Sequence, residues 1–425
     1  MKDYNVVVVG AGILGLSTAY HIKLANPELT VLVVDKNVAA GLGSTVNSAA
    51  AFRCFFSSSS NFALADSSVE FYWHLQRDLR VDLKMRWCGY LWLFTETAFR
   101  QAQPVLETLK AKGFVYKEYL PEQLAGNLGM RVDFMVDKTK PQVGTVFRAL
   151  FIPKAGLIDV MSLVRFYESQ LLRLGGEIQY RTTATRLLVE PDTPLGLTGE
   201  PYFWQDSSVV GVEANGEEIR AEKTVVATGA WLPQLLDPVG IECFVKARKR
   251  QVFNIKADTP ALKKLLHNMD FSQAGLPFMV LAEPQVYLRP NLASEGFGVS
   301  YADGFPRAFH IEEHPKPEPD FYQHSLQPIL AKYLPQFAGA KSSGGFAGLY
   351  EINTLDGQPV VFEEHGVVVV GGGSGSGIMK ADAIGRVAAT VCADNDFSEL
   401  YGGKQFRVSD LGLKNRNLET EKLVI

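Results

Sequence analysis

Tyr4-Asn5-Val6-Val7-Val8-Val9-Gly10-Ala11-Gly12-Ile13-Leu14-Gly15 opens the chain, and its reading decides the fold. The valine run asks for a strand buried on both faces. Gly10, Gly12 and Gly15 then fit a tight turn into a helix reaching about Ala25, and a second apolar run from Thr30 to Val34 stops at Asp35. Strand, glycine turn, helix and strand, with an acid about 20 residues past the last glycine, is the layout of a dinucleotide site. Gly10 permits the turn, Gly12 lets the main chain approach a pyrophosphate, and Gly15 lets helix and strand close together. The helix start at Ile13 and Leu14 offers N–H groups and partial positive charge to phosphates. Asp35, followed by Lys36, is placed to accept hydrogen bonds from ribose hydroxyls.

Composition sets the outer limits. The 425 residues are 47% hydrophobic and 21% charged, enough for a large core and too many for one simple domain. With 42 basic against 46 acidic residues, a net charge of −4 and no long basic run, nucleic acid is not an expected partner. Cys54, Cys88, Cys243 and Cys392 are scattered without a CxxC pair, which suits free thiols in a reducing cytoplasm. The first strand starts almost at residue 1, leaving no room for a signal peptide, and no run of about 18 apolar residues occurs. A soluble, cytoplasmic protein is expected; a peripheral membrane contact and a homo-oligomer stay open.

Beyond Asp35, small and hydroxyl residues dominate 41–53. Ser44, Thr45, Asn47 and Ser48 suit either a cofactor-touching loop or a helix cap. Arg53, amid alanines and phenylalanines, needs an anionic or carbonyl partner. Ser57 to Ser60 reads as the cap of a helix over 61–78. Further helices are expected over 98–112, 121–128 and 160–174, and strands over 89–94, 177–180 and 182–190. Asn215-Gly216 marks a hairpin between strands at 209–214 and 218–221. A separate buried strand follows, ending in Ala227-Thr228-Gly229-Ala230-Trp231. From 246 to 343 the pattern is short strands, at 251–255, 278–281, 286–289 and 297–301. Near the carboxyl end Val367-Val368-Val369-Val370 runs into Gly371-Gly372-Gly373-Ser374-Gly375-Ser376-Gly377 and a helix over 378–391. His310-Ile311-Glu312-Glu313-His314 spells a zinc-protease motif, but Pro315, Pro317 and Pro319 deny it a helix, so no metal is expected.

A nicotinamide enzyme needs only the first of these glycine-bearing strand ends; an extended flavin dinucleotide uses all three. With Gly348-Leu349-Tyr350, Thr354-Leu355-Asp356-Gly357-Gln358-Pro359 and Gly375-Ser376-Gly377-Ile378-Met379, the chain resembles the D-amino-acid-oxidase-like family of FAD-dependent amine and amino-acid oxidoreductases. Within it, the likeness is to archaeal dye-linked L-proline dehydrogenases, through Ala50-Ala51-Phe52-Arg53, Leu334-Pro335-Gln336-Phe337 and the ending Leu423-Val424-Ile425. The resemblance implies an α/β fold: a Rossmann-like FAD-binding domain over 1–88, 149–240 and 344–425, and a second, mainly antiparallel β substrate domain over 89–148 and 241–343. It extends the FAD-binding set to Lys36, Ser48, Ala184, Ala227, Thr228, Gly229, Trp231, Gly375, Ser376, Gly377, Ile378 and Met379. Asn47 stands where relatives with covalent flavin carry histidine, which implies non-covalent FAD. Met379 stands where many oxidases of the family carry lysine, and Lys380 follows, a shift that leans towards dehydrogenase behaviour.

The implied reaction moves a hydride from the carbon next to an amine nitrogen to flavin N5, leaving an imine. For L-proline the product is Δ1-pyrroline-5-carboxylate, with an artificial dye or quinone as electron acceptor. Arg53 and Arg289 are the candidate cations for the carboxylate of a small amino-acid substrate. Tyr350 is a candidate hydrogen-bond donor, and Phe55 and Tyr301 are candidate walls. The apolar end of a polar tail makes Ile425 a candidate part of the pocket. Three alternatives remain: a flavin enzyme for another secondary amine or a 2-hydroxy acid (sarcosine- or glycine-oxidase-like), a nicotinamide-only dehydrogenase, and a non-catalytic flavoprotein subunit.

Overall fold

The computed structural model describes residues 3–135, 142–414 and 416–423. Its first large sheet is built on the valine runs. In spatial order the main path is Val360–Glu364, Val367–Gly371, Glu217–Val226, Asp3–Val9, Val31–Val34 and Glu177–Gln179. The last five are parallel, and Val360–Glu364 is an antiparallel edge. Such strands must be apolar on both faces because both are covered. Val6, Val8, Val31, Val33, Val368 and Val370 pack under the helices Ile13–Ala25, Val160–Arg173 and Ala381–Cys392. Val7, Val9, Leu32, Val34, Val367 and Val369 pack on the other side with Leu187, Val212, Leu232 and Leu236.

Two expectations are corrected here. The hairpin strand after Asn215-Gly216 and the buried strand behind it are one element, Glu217–Val226. It pairs antiparallel with Ser207–Ala214 over its first residues and parallel with Asp3–Val9 from Arg220 onwards. The other correction concerns the second sheet, ordered Gly345–Asn353, Val245–Lys256, Gly296–Ser300, Tyr287–Asn291, Phe278–Val280, Tyr90–Phe94, Arg148–Ile152 and Lys117–Tyr119. It therefore takes Arg148–Ile152 and Gly345–Asn353, whose residues from 149 and from 344 were expected in the FAD-binding unit. An apolar run shows that a strand is buried, not which sheet it joins. All neighbours are antiparallel except Phe278–Val280 with Tyr90–Phe94. Among the described residues no helix is long and apolar enough to cross a membrane.

Candidate active site

The carboxyl ends of the parallel strands open on one edge of the first sheet, and a long cleft follows them, as expected for open α/β sheets. One half, about 590 Å³, is lined by Gly10, Gly12, Asp35, Lys36, Ala184, Ala227, Thr228, Gly229 and Trp231. Gly10 has φ +109°, and a Cβ there would lie 2.6 Å from the Ala227 carbonyl oxygen; one on Gly15 would lie 1.9 Å from that of Gly10. Those glycines serve the protein's own packing. Gly12 differs: a Cβ there would meet Thr45 Oγ1 at 3.5 Å, an ordinary contact. The open cleft beside Gly12 therefore fits an incoming pyrophosphate.

The first helix has no side-chain cap at Gly12, and Thr45 reaches across to accept the Ile13 N–H at 3.2 Å. Asp35 is fixed by the Ala11 and Asn37 N–H groups, each at 2.7 Å. Lys36 lies over the Trp231 ring at 4.3 Å and pairs with Glu313 at 2.5 Å; Trp231 Nε1 donates to Glu313 at 2.7 Å. The His310 to His314 stretch is thus an irregular segment whose Glu313 and His314 line this end of the cleft.

The other half, about 370 Å³, is lined by Asn47, Ser48, Arg53, Phe56, Tyr90, Phe278, Tyr287, Tyr350, Gly375, Ser376, Gly377, Ile378, Met379 and Leu423 among others. The halves meet at Ile13, Leu14, Ser44, Thr45 and Glu351. Ser44 Oγ donates to the Leu349 carbonyl at 2.7 Å, tying the loop of the first domain to the second sheet. The far wall is aromatic. Tyr90 and Phe278 stack at 4.4 Å, Phe278 and Tyr287 at 5.3 Å, and Tyr350 lines the same cavity. Burial raises all three tyrosines above their ordinary range, so each hydroxyl keeps its proton and can donate.

The carboxyl-terminal tail closes this half. Arg416 holds Asp356 at 2.7 and 3.0 Å, and Gln358 donates to the Glu419 carbonyl at 2.9 Å. Glu421 accepts from Ser57 N, Ser57 Oγ, Ser58 N, Asn61 Nδ2 and Leu423 N, the first three at the start of helix Ser59–Arg77. Burial alone would raise the Glu421 carboxyl, but the Ser57 N–H and the Arg53 guanidinium hold it below the ordinary range. Leu423 is 2% exposed among Tyr90, Trp92 and Tyr287. Arg53 is buried; it donates from Nη2 to the Leu423 carbonyl at 2.6 Å and from Nη1 to that of Phe55, with its guanidinium 4.1 Å from the centre of the Phe56 ring. Lys380, also buried, donates to Asn61 Oδ1 at 2.5 Å and Ser376 Oγ at 2.7 Å; burial and Arg53 pull it down to about 7.

Most residues singled out from the sequence come together along this cleft. Four do not. Phe55 turns away to pack edge-on against Phe114 and Tyr116 at 5.9 and 6.0 Å, and Phe56 forms the wall instead. Tyr301 packs into the core of the second domain while Ala302 lines the cavity. Arg289 is not among the lining residues; it lies two positions along the strand from Tyr287, its Nε buried without a partner. Ile425 lies outside the described residues. Arg53 does line the cavity, though the partners its burial demanded are main-chain carbonyls. Sequence reading missed Glu351, Glu421, Phe56, Tyr90, Phe278 and Tyr287. A glutamate directly after the buried run Gly348-Leu349-Tyr350 was the available signal for Glu351. The aromatics needed the pairings Phe278↔Tyr90 and Val280↔Tyr287 to share a face.

The comparisons with known proteins agree with this geometry. The chain is 26% identical over 427 residues to FAD-dependent oxidoreductase domain-containing protein 1 of Xenopus laevis, covering 93% of this chain and 80% of that one. It is 26% identical over 355 residues to a glycine oxidase of Pseudomonas aeruginosa, covering 81% and 82%. The crystal structure of L-proline dehydrogenase from P. horikoshii superposes with a TM-score of 0.74 at 18% identity, covering 97% of each chain. The model of the FAD-dependent oxidoreductase family matches residues 5–391, which takes in the glycine turn at Gly10, the aromatic wall and the Gly371–Gly377 turn. A cleft shaped for an extended dinucleotide thus belongs to a member of the FAD-dependent oxidoreductase family, and the nicotinamide-only reading is set aside.

Proposed function

We propose that this flavoenzyme oxidises a small amino acid at the carbon next to its amine nitrogen, with L-proline as the preferred substrate and a dye or quinone as electron acceptor. The observation that carries the reading is the small aromatic cage of Tyr90, Phe278, Tyr287 and Tyr350, closed by Leu423 and lined on one side by the Arg53 cation. FAD held along Gly12, Asp35, Thr45, Gly375, Ser376 and Gly377 would supply the redox chemistry as the hydride acceptor. The chain's own work is to place the substrate and exclude water. Arg53 is fixed by two carbonyls and keeps further N–H groups for a carboxylate. The Tyr350 hydroxyl donates to the substrate, and the rings pack on its apolar carbons. The likeness in fold to L-proline dehydrogenase supports proline.

The FAD is read as non-covalent. Asn47 spends its amide on the Gly43 carbonyl at 3.1 Å, and no histidine or cysteine is among the described residues lining the flavin half. A second reading, an oxidase for glycine or a related small amine, is favoured by the glycine oxidase relative. Turnover of L-proline, glycine and sarcosine by the purified chain, with dye and with oxygen as acceptor, decides between them. Dye reduction fastest with L-proline, at low oxygen uptake, is expected; fast oxygen consumption with glycine or sarcosine would favour the oxidase.

A further inference from the structure

Glu351 has no counterpart among the charged residues of the cleft. It lines both halves where they meet. Its Oε1 accepts the Gly373 N–H at 3.1 Å, while Oε2 is buried with no partner. Glycine main chain surrounds the carboxyl: a Cβ on Gly371 would lie 3.2 Å from Oε2, one on Gly229 3.5 Å from it, and one on Gly373 2.8 Å from Oε1. Thr228 Oγ1, beside Gly229, is a second buried polar atom without a partner, on a residue that lines the cleft. Buried polar atoms left single are costly, and two of them beside a ligand cleft point to the ligand as the missing partner.

No nearby charge accounts for Glu351. Ala247 is opposite it on the neighbouring strand, and the turns 229–231 and 371–377 carry no charged side chain. Among the described residues, the charged and titratable groups lining the cleft are Asp35, Lys36, Glu313 and His314 at one end and Arg53, Asp356, Glu421 and the tyrosines Tyr90, Tyr287 and Tyr350 at the other, with Lys380 behind Ser376. Burial, opposed by the Gly373 and Gly372 N–H groups, pushes the carboxyl up to about 7.

We propose that Glu351 holds the FAD as an un-ionised acid, donating its carboxylic hydrogen to an oxygen of the dinucleotide while Oε1 keeps the Gly373 N–H. Above neutral pH, binding then takes up one proton: the ionised carboxylate of the free protein becomes the carboxylic acid of the complex. The proposal rests on the dissociable FAD argued above.

The test is dilution of the holoenzyme between pH 6 and 9, with fluorescence of released flavin giving Kd. Expected is a Kd that is level up to about pH 7 and then rises about tenfold per pH unit. Glu351→Gln, a neutral donor, should keep the acid-limb Kd and lose the slope, whereas Glu351→Ala should bind more weakly at every pH. A level wild-type profile overturns the proposal. So does a slope that survives in Glu351→Gln, which would move the proton to another group of the cleft, or a Glu351→Gln as weak at pH 6 as Glu351→Ala. Should Glu351→Gln fail to fold, calorimetry of FAD rebinding by the full wild-type chain in two buffers at pH 8 decides; about one proton taken up is expected, and none overturns the assignment. Flavin that stays with the acid-precipitated protein would overturn the dissociable cofactor and this proposal with it.

Discussion

Glu421→Ala should free the carboxyl-terminal tail while leaving the body of the enzyme folded. The carboxylate accepts five hydrogen bonds, including those from the Ser57 and Ser58 N–H groups at the positive end of helix Ser59–Arg77. Each charge-assisted bond is worth about 1.5–3 kcal/mol net, and a carboxylate at a helix start adds about 0.3–1 kcal/mol. The donors regain water once the tail leaves, so the bonds do not add; a loss of about 3 kcal/mol is a fair working value, or roughly 100-fold in the docking equilibrium. What remains is Leu423, whose burial is worth about 1.5–3 kcal/mol, and its carbonyl bond from Arg53. Carboxypeptidase trimming followed by mass spectrometry reads the docked fraction, and the variant should be trimmed at least about tenfold faster with a higher KM for proline. The wild type should respond to acid in one direction. Its Glu421 carboxyl lies below the ordinary range when folded, so the stabilisation is complete above the unfolded value and is lost as pH falls through the folded one. The tail should therefore stay docked at about pH 5–6 and come free only in stronger acid. Wild-type trimming rates and an unchanged KM in Glu421→Ala would refute the role of this carboxylate.

Gly12→Val should leave the fold intact and abolish flavin retention, since the protein has room for a side chain there but that side chain would fill the space the pyrophosphate needs; circular dichroism and the visible spectrum check both. Arg53→Ala should raise the KM for proline about 10- to 100-fold, more than a variant truncated after residue 420, which loses the tail but keeps the cation. Lys380→Met should raise the melting temperature most at or below about pH 7. Burial lowers the lysine from its unfolded value to about 7, so wild-type stability climbs with pH between those values and the gap should close towards about pH 10.

The first domain was legible because its signals are local. The valine run, the Gly10, Gly12, Gly15 spacing and Asp35 each act within a few residues of the turn they build. Helix Val160–Arg173 likewise follows from its apolar period and the Asp159 cap, and Pro121–Leu128 from the proline that opens it. The site's far wall was not legible, because it depends on pairing across the second sheet. Phe55 and Phe56 are neighbours of the same type, and only the path after strand Ala51–Arg53 decides which faces the cavity. Tyr301 and Ala302 pose the same problem of phase. Glu421 meets Ser57 across nearly the whole chain length, a contact no local pattern encodes.

The central claim is best tested by mixing the purified holoenzyme with L-proline in the absence of oxygen and following the visible flavin absorbance. The account predicts rapid bleaching with L-proline, return of the oxidised spectrum on adding dye or quinone, and an imine product. An oxidised spectrum that persists with L-proline, in a preparation that glycine or a 2-hydroxy acid bleaches, would contradict it.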